Sequence, residues 1–159
     1  MSAPHTLSTS LYIDAPPEIV WKAFTEHGTE WFTPRPWTTP QVDYDLFPGG
    51  RADIHMQSPE GERHSYHGIV LYVETARLLV TTGAILQGWI PHESDMNFVR
   101  LDHFKPQGEG TFYTAEARHW TAAGMQKHSD MGFADGWGAV THQLAEVADR
   151  LWREAPNQG

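Results

Sequence analysis

Residues 128–152 read HSDMGFADGWGAVTHQLAEVADRLW, and the rest of the chain is organised around this segment. Its large apolar residues recur every three or four positions, which is the spacing of one face of an α-helix and not of a strand. They are Phe133, Trp137, Val140, Leu144, Val147 and Leu151. Asp135, His142 and Glu146 lie on the opposite side, which is therefore predicted to face water. Either Thr121 or Ser129 is suited to cap the start of the helix.

Three glycines interrupt the first turns of this predicted helix, at Gly132, Gly136 and Gly138. Each glycine inside a helix costs about 1 kcal/mol relative to alanine, so their presence needs a reason. Either the helix packs closely on a sheet, or the missing side chains leave room for a ligand beneath it. In the second case Met131 and Trp137 are predicted to form walls of the ligand site.

The amino-acid composition limits the kinds of protein and of binding partner that the sequence is compatible with. The 159 residues are 40% apolar, which predicts a single globular domain over 1–159 with loose tails at 1–5 and 155–159. The chain has no cysteine and no visible signal peptide, so a cytoplasmic location is expected. A net charge of −9 without a basic cluster, and no apolar run of membrane-spanning length, argue against nucleic acids and membranes as partners. The sequence leaves a homodimer open.

Short alternating segments with turn residues between them predict an antiparallel sheet upstream of the helix. The first strand, residues 6–14, leads into a helix that Asp14 can cap, and a second short helical piece follows at 26–32. The other predicted strands are residues 41–47, 51–57, 64–74, 78–84, 97–104 and 111–120.

The register of the last two strands predicts which face covers the helix. With Phe104 opposite Phe112, Arg100 lies opposite Glu116 on a charged side that is predicted to face solvent. The other side is apolar and small, and we expect it under the long helix. It holds Val99, Leu101, Tyr113, Ala115, Ala117 and His119. Tyr113 and His119 lie about 20 Å apart along the strand, so they are expected as polar groups at opposite ends of a pocket.

Ten histidines raise the question of a metal site, and the spacing argues against one. His103 and His119 lie about 20 Å apart along the sheet in this register. His64 and His67 point to opposite faces of their strand, and the face that His67 occupies stays open. No HExxH spacing is present, so neither a metal nor a cofactor is expected.

Catalytic motifs are also missing from the sequence. It contains no Cys nucleophile and no Gly-x-Ser-x-Gly turn, so the catalytic residues are unknown. His119 is the candidate for acid–base chemistry, because imidazole titrates near neutral pH. The alternative is a core histidine that is bonded to a backbone carbonyl.

Six short stretches carry a resemblance to a known family. They are Ala15-Pro-Pro-Glu-Ile-Val-Trp21, Trp31-Phe-x-Pro34, Phe47-Pro-Gly-Gly50, Gly88-Trp89-x-Pro91, His119-Trp120 and His128-x-x-Met-Gly-Phe-x-x-Gly-Trp137. The chain is similar to the SRPBCC (START-like, helix-grip) superfamily. Within it, the chain resembles the bacterial, AHSA-like relatives of the activator of the ninety-kilodalton heat-shock chaperone's ATPase. It departs from the family pattern at Phe32, where a tryptophan is usual, and at Ala52, where an aromatic residue is usual.

The resemblance implies an α+β helix-grip fold of order β-α-α-β6-α. In it a curved antiparallel sheet of six to seven strands wraps around the C-terminal helix and encloses a cavity. We therefore expect a protein that binds a small hydrophobic or aromatic molecule. The alternatives are a cyclase- or hydrolase-type enzyme that uses a cavity histidine, and a chaperone-associated interaction domain. The predicted ligand-binding residues are Trp31, Trp37, Met56, Trp89, Tyr113, His119, Met131 and Trp137.

Overall fold

The computed structural model describes residues 3–94 and 96–156. The helical elements are α1 (Pro17–Glu26), a 3-10 turn (Gly28–Glu30), α2 (Ala122–Asp130) and α3 (Phe133–Glu154). The strands in chain order are β1 (Thr6–Ile13), β2 (Thr38–Tyr44), β3 (Ala52–Gln57), β4 (Arg63–Tyr66), β5 (Ile69–Glu74), β6 (Leu78–Thr82), β7 (Ile85–Leu86), β8 (Ile90–Pro91), β9 (Phe98–Gln107) and β10 (Gly110–His119).

Eight of these strands form one bent antiparallel surface, whereas β7 and β8 pair with each other as a separate short hairpin. Five strands follow the order β1-β10-β9-β6-β5, and three more follow the order β2-β3-β4. The two groups join where Arg51 pairs with Ile69 and the Ala52 amide donates to the Gly68 carbonyl at 3.0 Å. Only His67 and Gly68 separate β4 from β5, so the two behave as one bent strand. The predicted sheet of six to seven strands is confirmed in this form.

Glycine is required at the bend between β4 and β5. A Cβ atom at Gly68 would lie 2.2 Å from the carbonyl oxygen of Thr82 on the neighbouring strand. A side chain at this position would therefore force the two strands apart. The close approach lets the sheet bend without losing the contact between β5 and β6.

The long helix α3 covers the concave side of this surface. It packs against β1 and α1. Leu144 is fully buried, and its neighbours along the stripe, Val140 and Val147, are largely buried, whereas His142 and Glu146 are exposed. The predicted amphipathic helix and the helix-grip α+β fold are therefore confirmed.

The start of this helix differs from the prediction of one continuous helix from His128. The chain forms two helices, and Gly132 between them has a φ of 93°. This left-handed conformation is readily available to glycine, so Gly132 redirects the chain between α2 and α3. Thr121, one of the two predicted caps, accepts a hydrogen bond from the Gly124 amide at 3.0 Å and caps α2.

The predicted register of the last hairpin is wrong by one residue. Tyr113 pairs with Phe104, and Ala117 pairs with Arg100. The turn between the strands contains only Gly108 and Glu109, because Gln107 pairs with Gly110. A slip of one residue exchanges the two faces of a strand. Phe98, Arg100, Asp102 and Phe104 therefore lie on the same face as Tyr113, Ala115, Ala117 and His119, and the predicted cross-strand ion pair between Arg100 and Glu116 does not form.

The two ends of the chain are described in part. At the N-terminus, in the region predicted to be a loose tail, the His5 carbonyl accepts a hydrogen bond from the His119 amide at 3.0 Å. Of the predicted C-terminal tail, residues 157–159 lie outside the described residues. No helix in the described part of the chain is both long enough and apolar enough to span a membrane.

Candidate functional site

A cavity of about 250 Å³ lies between the sheet and the first half of α3. The loop before β2, the strands β2, β3, β4, β6 and β9, and α3 all contribute to its wall. Most of the wall is apolar, and its large members are Phe32, Ile54, Met56, Phe98, Trp137 and Val140. Ala52 also lines the space. Gly136 faces the cavity from the helix, and nothing lies within 4 Å of the place where its Cβ atom would be.

Arg100 lines this cavity and forms a buried ion pair with Asp102, which lies behind it. Arg100 lies two residues before Asp102 on β9, so both side chains point to the same face. Nε of Arg100 donates to Asp102 at 2.9 Å and Nη2 donates at 3.1 Å. The hydroxyl of Tyr113 donates to the same carboxylate at 2.6 Å. Asp102 is fully buried, so these three donors stabilise a carboxylate that has no access to water.

Electrostatics keep Arg100 charged and Tyr113 neutral. Burial disfavours the charge of Arg100, but the carboxylate of Asp102 outweighs burial and raises the pKa of Arg100 above its usual value. Burial, and then the negative charge of Asp102, raise the pKa of Tyr113 well above its usual value. The hydroxyl of Tyr113 therefore remains a hydrogen-bond donor to Asp102 at all physiological pH values.

Aromatic rings hold the guanidinium group in place. The Cζ atom of Arg100 lies 4.4 Å from the centre of the Trp137 ring and 4.9 Å from that of Phe32. Trp137 belongs to α3 and Phe32 to the loop that precedes β2, so the cation contacts two separate elements. Such cation–π contacts are worth roughly 1–2 kcal/mol when water is excluded. Arg100 thus links the sheet, the loop and the helix at the edge of the cavity.

Several hydrogen-bonding groups at the cavity lack a partner in the protein. Across residues 3–94 and 96–156, no hydrogen bond is made by Nη1 of Arg100 or by the hydroxyls of Tyr44 and Thr81. In the same part of the chain, every fully buried polar side-chain atom has a partner, so these three groups border open space. All three residues line the cavity. Burial raises the pKa of Tyr44, and it raises the pKa of Tyr66, which also lines the cavity, to about 12.

A second polar cluster, the His119–His128 pair, lies behind Phe98. Nδ1 of His119 donates to the carbonyl oxygen of His5 at 2.9 Å, because a carbonyl can only accept. Nε2 of His119 lies 2.8 Å from Nδ1 of His128. Burial, then the positive charges of His119 and Arg100, lower the pKa of His128 to about 4. His119 is thus a core histidine bonded to a backbone carbonyl, the second of the two interpretations above.

The predicted ligand-binding residues divide between the cavity and other places. Met56 and Trp137 line the cavity. Trp31 is buried in the core, where its indole N–H donates to the Ala23 carbonyl at 3.0 Å. Tyr113 supports the cavity from behind through Asp102.

The other predicted residues lie outside the cavity wall. Trp37 packs beside the ring of His64, with 5.5 Å between the ring centres. Trp89 is 62% exposed and Met131 is 68% exposed. His119 does not line the cavity, but its ring lies 5.7 Å from that of Phe98, which does. Ala115 and Ala117 are buried in the packed sheet face, and it is Ala52 that leaves space.

Arg100, Asp102 and Tyr44 were not predicted as site residues. The incorrect register placed the two charged residues on the solvent side of the hairpin. One signal was present in the sequence. Phe98, Arg100, Asp102 and Phe104 are each two residues apart and therefore share one strand face, and the two phenylalanines indicate that this face is buried. Within the part of the chain that the structure describes, no three His, Asp or Glu side chains come close enough to hold a metal ion.

The comparisons with known proteins agree with this fold. A family model described as "Activator of Hsp90 ATPase homolog 1-like protein" matches residues 14–149. The chain belongs to this family. None of the curated proteins compared with the chain matches it significantly.

Solved structures similar to this family member come from several bacteria. A protein from Nitrosomonas europaea is 32% identical, with a TM-score of 0.88, and the match covers 94% of this chain and 97% of that one. A protein from Mycobacterium smegmatis is 20% identical, with a TM-score of 0.73 and 99% coverage of both chains. One from Arthrobacter aurescens is 19% identical, with a TM-score of 0.78, and the match covers 91% of this chain and 86% of that one. The last two similarities concern the fold alone.

Proposed function

We propose that this protein binds a small hydrophobic or aromatic molecule in the cavity between the sheet and α3. The observation that carries the proposal is an aromatic-walled space in an otherwise closely packed interior. Protein interiors leave few voids larger than a water molecule, so a space of about 250 Å³ is unusual for a purely structural core. The wall combines apolar side chains with a few polar groups, which is typical of ligand sites.

The size of the cavity limits the ligand to a small molecule. An apolar cavity of roughly 150 Å³ in another protein accommodates benzene. The present cavity of about 250 Å³ therefore suits a ligand of about two fused rings with a small substituent. The part of a longer ligand that exceeds this volume would have to extend out through the open side of the cavity.

Two glycines of α3 allow a test with a matched control. Gly136 lines the cavity, whereas Gly138 does not, and a Cβ atom at either position would meet nothing within 4 Å. We expect Gly136→Phe to fill the cavity and to abolish binding of 2-ethylnaphthalene, and Gly138→Phe to leave binding unchanged. Binding is measured by amide chemical shifts during an NMR titration, and folding of both variants by circular dichroism. Equal binding to both variants, or no binding to the unmodified protein, would contradict the proposal.

The enzyme alternative requires a histidine at the cavity. None of the described histidines lines it, and His119 already uses both ring nitrogens for hydrogen bonds. Nothing in this geometry therefore favours acid–base chemistry by a histidine on a bound ligand.

An interaction role rests on a different surface. Phe47, Trp89 and Ile90 are more than half exposed, and the Trp89 ring packs on Gly49 in the turn after β2. The family description refers to activation of the Hsp90 ATPase, so the direct test is the ATPase rate of that chaperone with and without this protein. If this second candidate holds, Trp89→Glu abolishes stimulation and Trp120→Glu, a control at another exposed tryptophan, does not. Absence of stimulation by the unmodified protein removes this candidate.

We place this binding function in the cytoplasm and without a nucleic-acid partner. The basis is a chain without cysteine and with a net charge of −9. A gel-shift assay at physiological salt should show no retarded DNA band. A retarded band that weakens steeply with added salt would contradict this expectation.

A further inference from the structure

The polar side of the cavity specifies more about the ligand than its size. A guanidinium group has five N–H donors, and Arg100 gives two of them to Asp102. The Nη1 donors and the hydroxyls of Tyr44 and Thr81 have no partner in the described protein. A polar group that loses water on ligand binding must find a new partner or binding is weakened. A ligand without an acceptor would leave these donors unsatisfied.

The charge of the site argues for an acceptor without a formal charge. Arg100 is already neutralised by Asp102 through two hydrogen bonds. A ligand carboxylate would add a second negative charge beside the fully buried Asp102, with one cation for two anions. Buried charges without a partner of their own are costly. A carbonyl oxygen accepts the same hydrogen bonds and brings no charge.

The walls favour an aromatic ligand that is oriented by this acceptor. Trp137 and Phe32 contact the guanidinium group and also line the cavity, so flat apolar surfaces adjoin the donors. Phe98 stands next to Trp137, with 5.8 Å between their ring centres. A ring system packed between these side chains would bring its substituent to Arg100.

We propose that the cavity selects neutral aromatic molecules with a carbonyl oxygen, which accepts hydrogen bonds from Arg100 and the adjoining hydroxyl groups. Arg100 is then the residue that determines specificity, Tyr44 and Thr81 add donors, and Asp102 positions Arg100. This inference rests on the proposed binding function and adds the chemical class of the ligand to it.

Three probes of one shape test the inference. They are 2-acetylnaphthalene, 2-ethylnaphthalene and 2-naphthoate, which carry a carbonyl group, no acceptor and a charged acceptor, respectively. We expect the ketone to bind at least about tenfold more tightly than the other two, since a hydrogen bond from a charged donor is being gained or lost. The dissociation constants are measured by NMR titration at one pH and salt concentration.

A spectroscopic measurement and a double variant locate the effect at Arg100. The carbonyl stretch of ¹³C-labelled 2-acetylnaphthalene should shift to lower frequency on binding to the unmodified protein. The double variant Arg100→Met with Asp102→Leu removes both charges together, so no unpaired buried charge remains. It should bind the ketone and 2-ethylnaphthalene equally, and the bound carbonyl should lose its shift. If this variant does not fold, the carbonyl stretch of the bound ketone and the three dissociation constants of the unmodified protein test the inference.

The outcomes separate this inference from the proposed function. Preference for the ketone with a shifted carbonyl stretch supports both. Equal binding of the ketone and 2-ethylnaphthalene overturns the carbonyl inference and leaves the binding function intact. Tightest binding of 2-naphthoate overturns the requirement for a neutral ligand. Failure of all three probes to bind overturns the proposed function together with the inference.

Discussion

The Arg100–Asp102 pair makes a quantitative prediction about stability. Arg100→Met removes two of the three hydrogen bonds to a carboxylate that is fully buried, and only the hydroxyl of Tyr113 remains. Breaking a buried ion pair by removing one partner costs about 3–5 kcal/mol, because the other charge is left without compensation. We therefore expect Arg100→Met to lower the free energy of unfolding by about this amount.

The double variant Arg100→Met with Asp102→Leu should behave differently. Both charges and their desolvation cost are removed, and replacing a whole buried pair by apolar residues is neutral or stabilising by about 1–4 kcal/mol. The double variant is thus expected to be at least as stable as the unmodified protein. Tyr113→Phe, which removes one hydrogen bond to the carboxylate, is expected to cost about 1.5–3 kcal/mol.

Urea unfolding followed by tryptophan fluorescence and by circular dichroism measures these differences. Coincident transitions from both probes, and similar m-values, show that the variants unfold in the same two-state manner. A cost of less than about 1 kcal/mol for Arg100→Met would contradict the buried ion pair. A double variant as unstable as the single one would contradict it too, because the loss of stability would then come from lost packing and not from the unpaired charge.

Three further predictions use the same unfolding assay. Leu144→Ala should lower the free energy of unfolding by about 2–5 kcal/mol, because Leu144 is fully buried. His142→Ala, on the exposed side of the helix, should change it by no more than about 0.5 kcal/mol. Similar changes in both variants would contradict the assigned helix face. Burial lowers the pKa of His128 to about 4 in the folded protein. The stability that neutral His128 contributes is therefore fully present above about pH 6.5, and the free energy of unfolding falls by up to about 3 kcal/mol as the pH falls toward 4. His128→Phe should flatten this pH dependence, and an unchanged slope would assign it to other groups. Gly138→Ala should stabilise the protein by about 0.5–1 kcal/mol, because alanine favours the helix over glycine and the added Cβ atom meets no neighbour within 4 Å. A loss of stability would indicate a contact that the structure does not contain.

The fold could be predicted from the sequence because its signals are local. The apolar stripe from Phe133 to Leu151 has helical spacing over about five turns, and only an α-helix places those residues on one face. The strands upstream alternate and end at turn residues, so their antiparallel arrangement could be predicted. The motifs around Trp31, Phe47 and Gly136 then indicated the family in which such a helix is gripped by a sheet.

The break between α2 and α3 could not be predicted from the sequence. Gly132 is an unusual residue inside a helical pattern, and both explanations offered for it, close packing on a sheet and room for a ligand, assume one continuous helix. A single glycine inside a helix and a left-handed glycine between two helices have the same local sequence. Only the contacts of α2 with the sheet, among them the bond between His119 and His128, decide which one occurs.

The polar part of the candidate site was decided by tertiary structure alone. Whether Arg100 faces the cavity or the solvent depends on the pairing of β9 with β10, and a shift of one residue reverses the answer. Both registers leave Gly108 in the turn, so the local signals do not separate them. What separates them is the fit of Phe98 and Phe104 against residues far away in the sequence, such as Trp137 and Trp21. Helix periodicity is encoded within each segment, whereas strand register is an interaction between segments. For that reason the fold follows from the sequence alone, whereas most of the cavity wall and the charged pair beside it follow only from the tertiary structure.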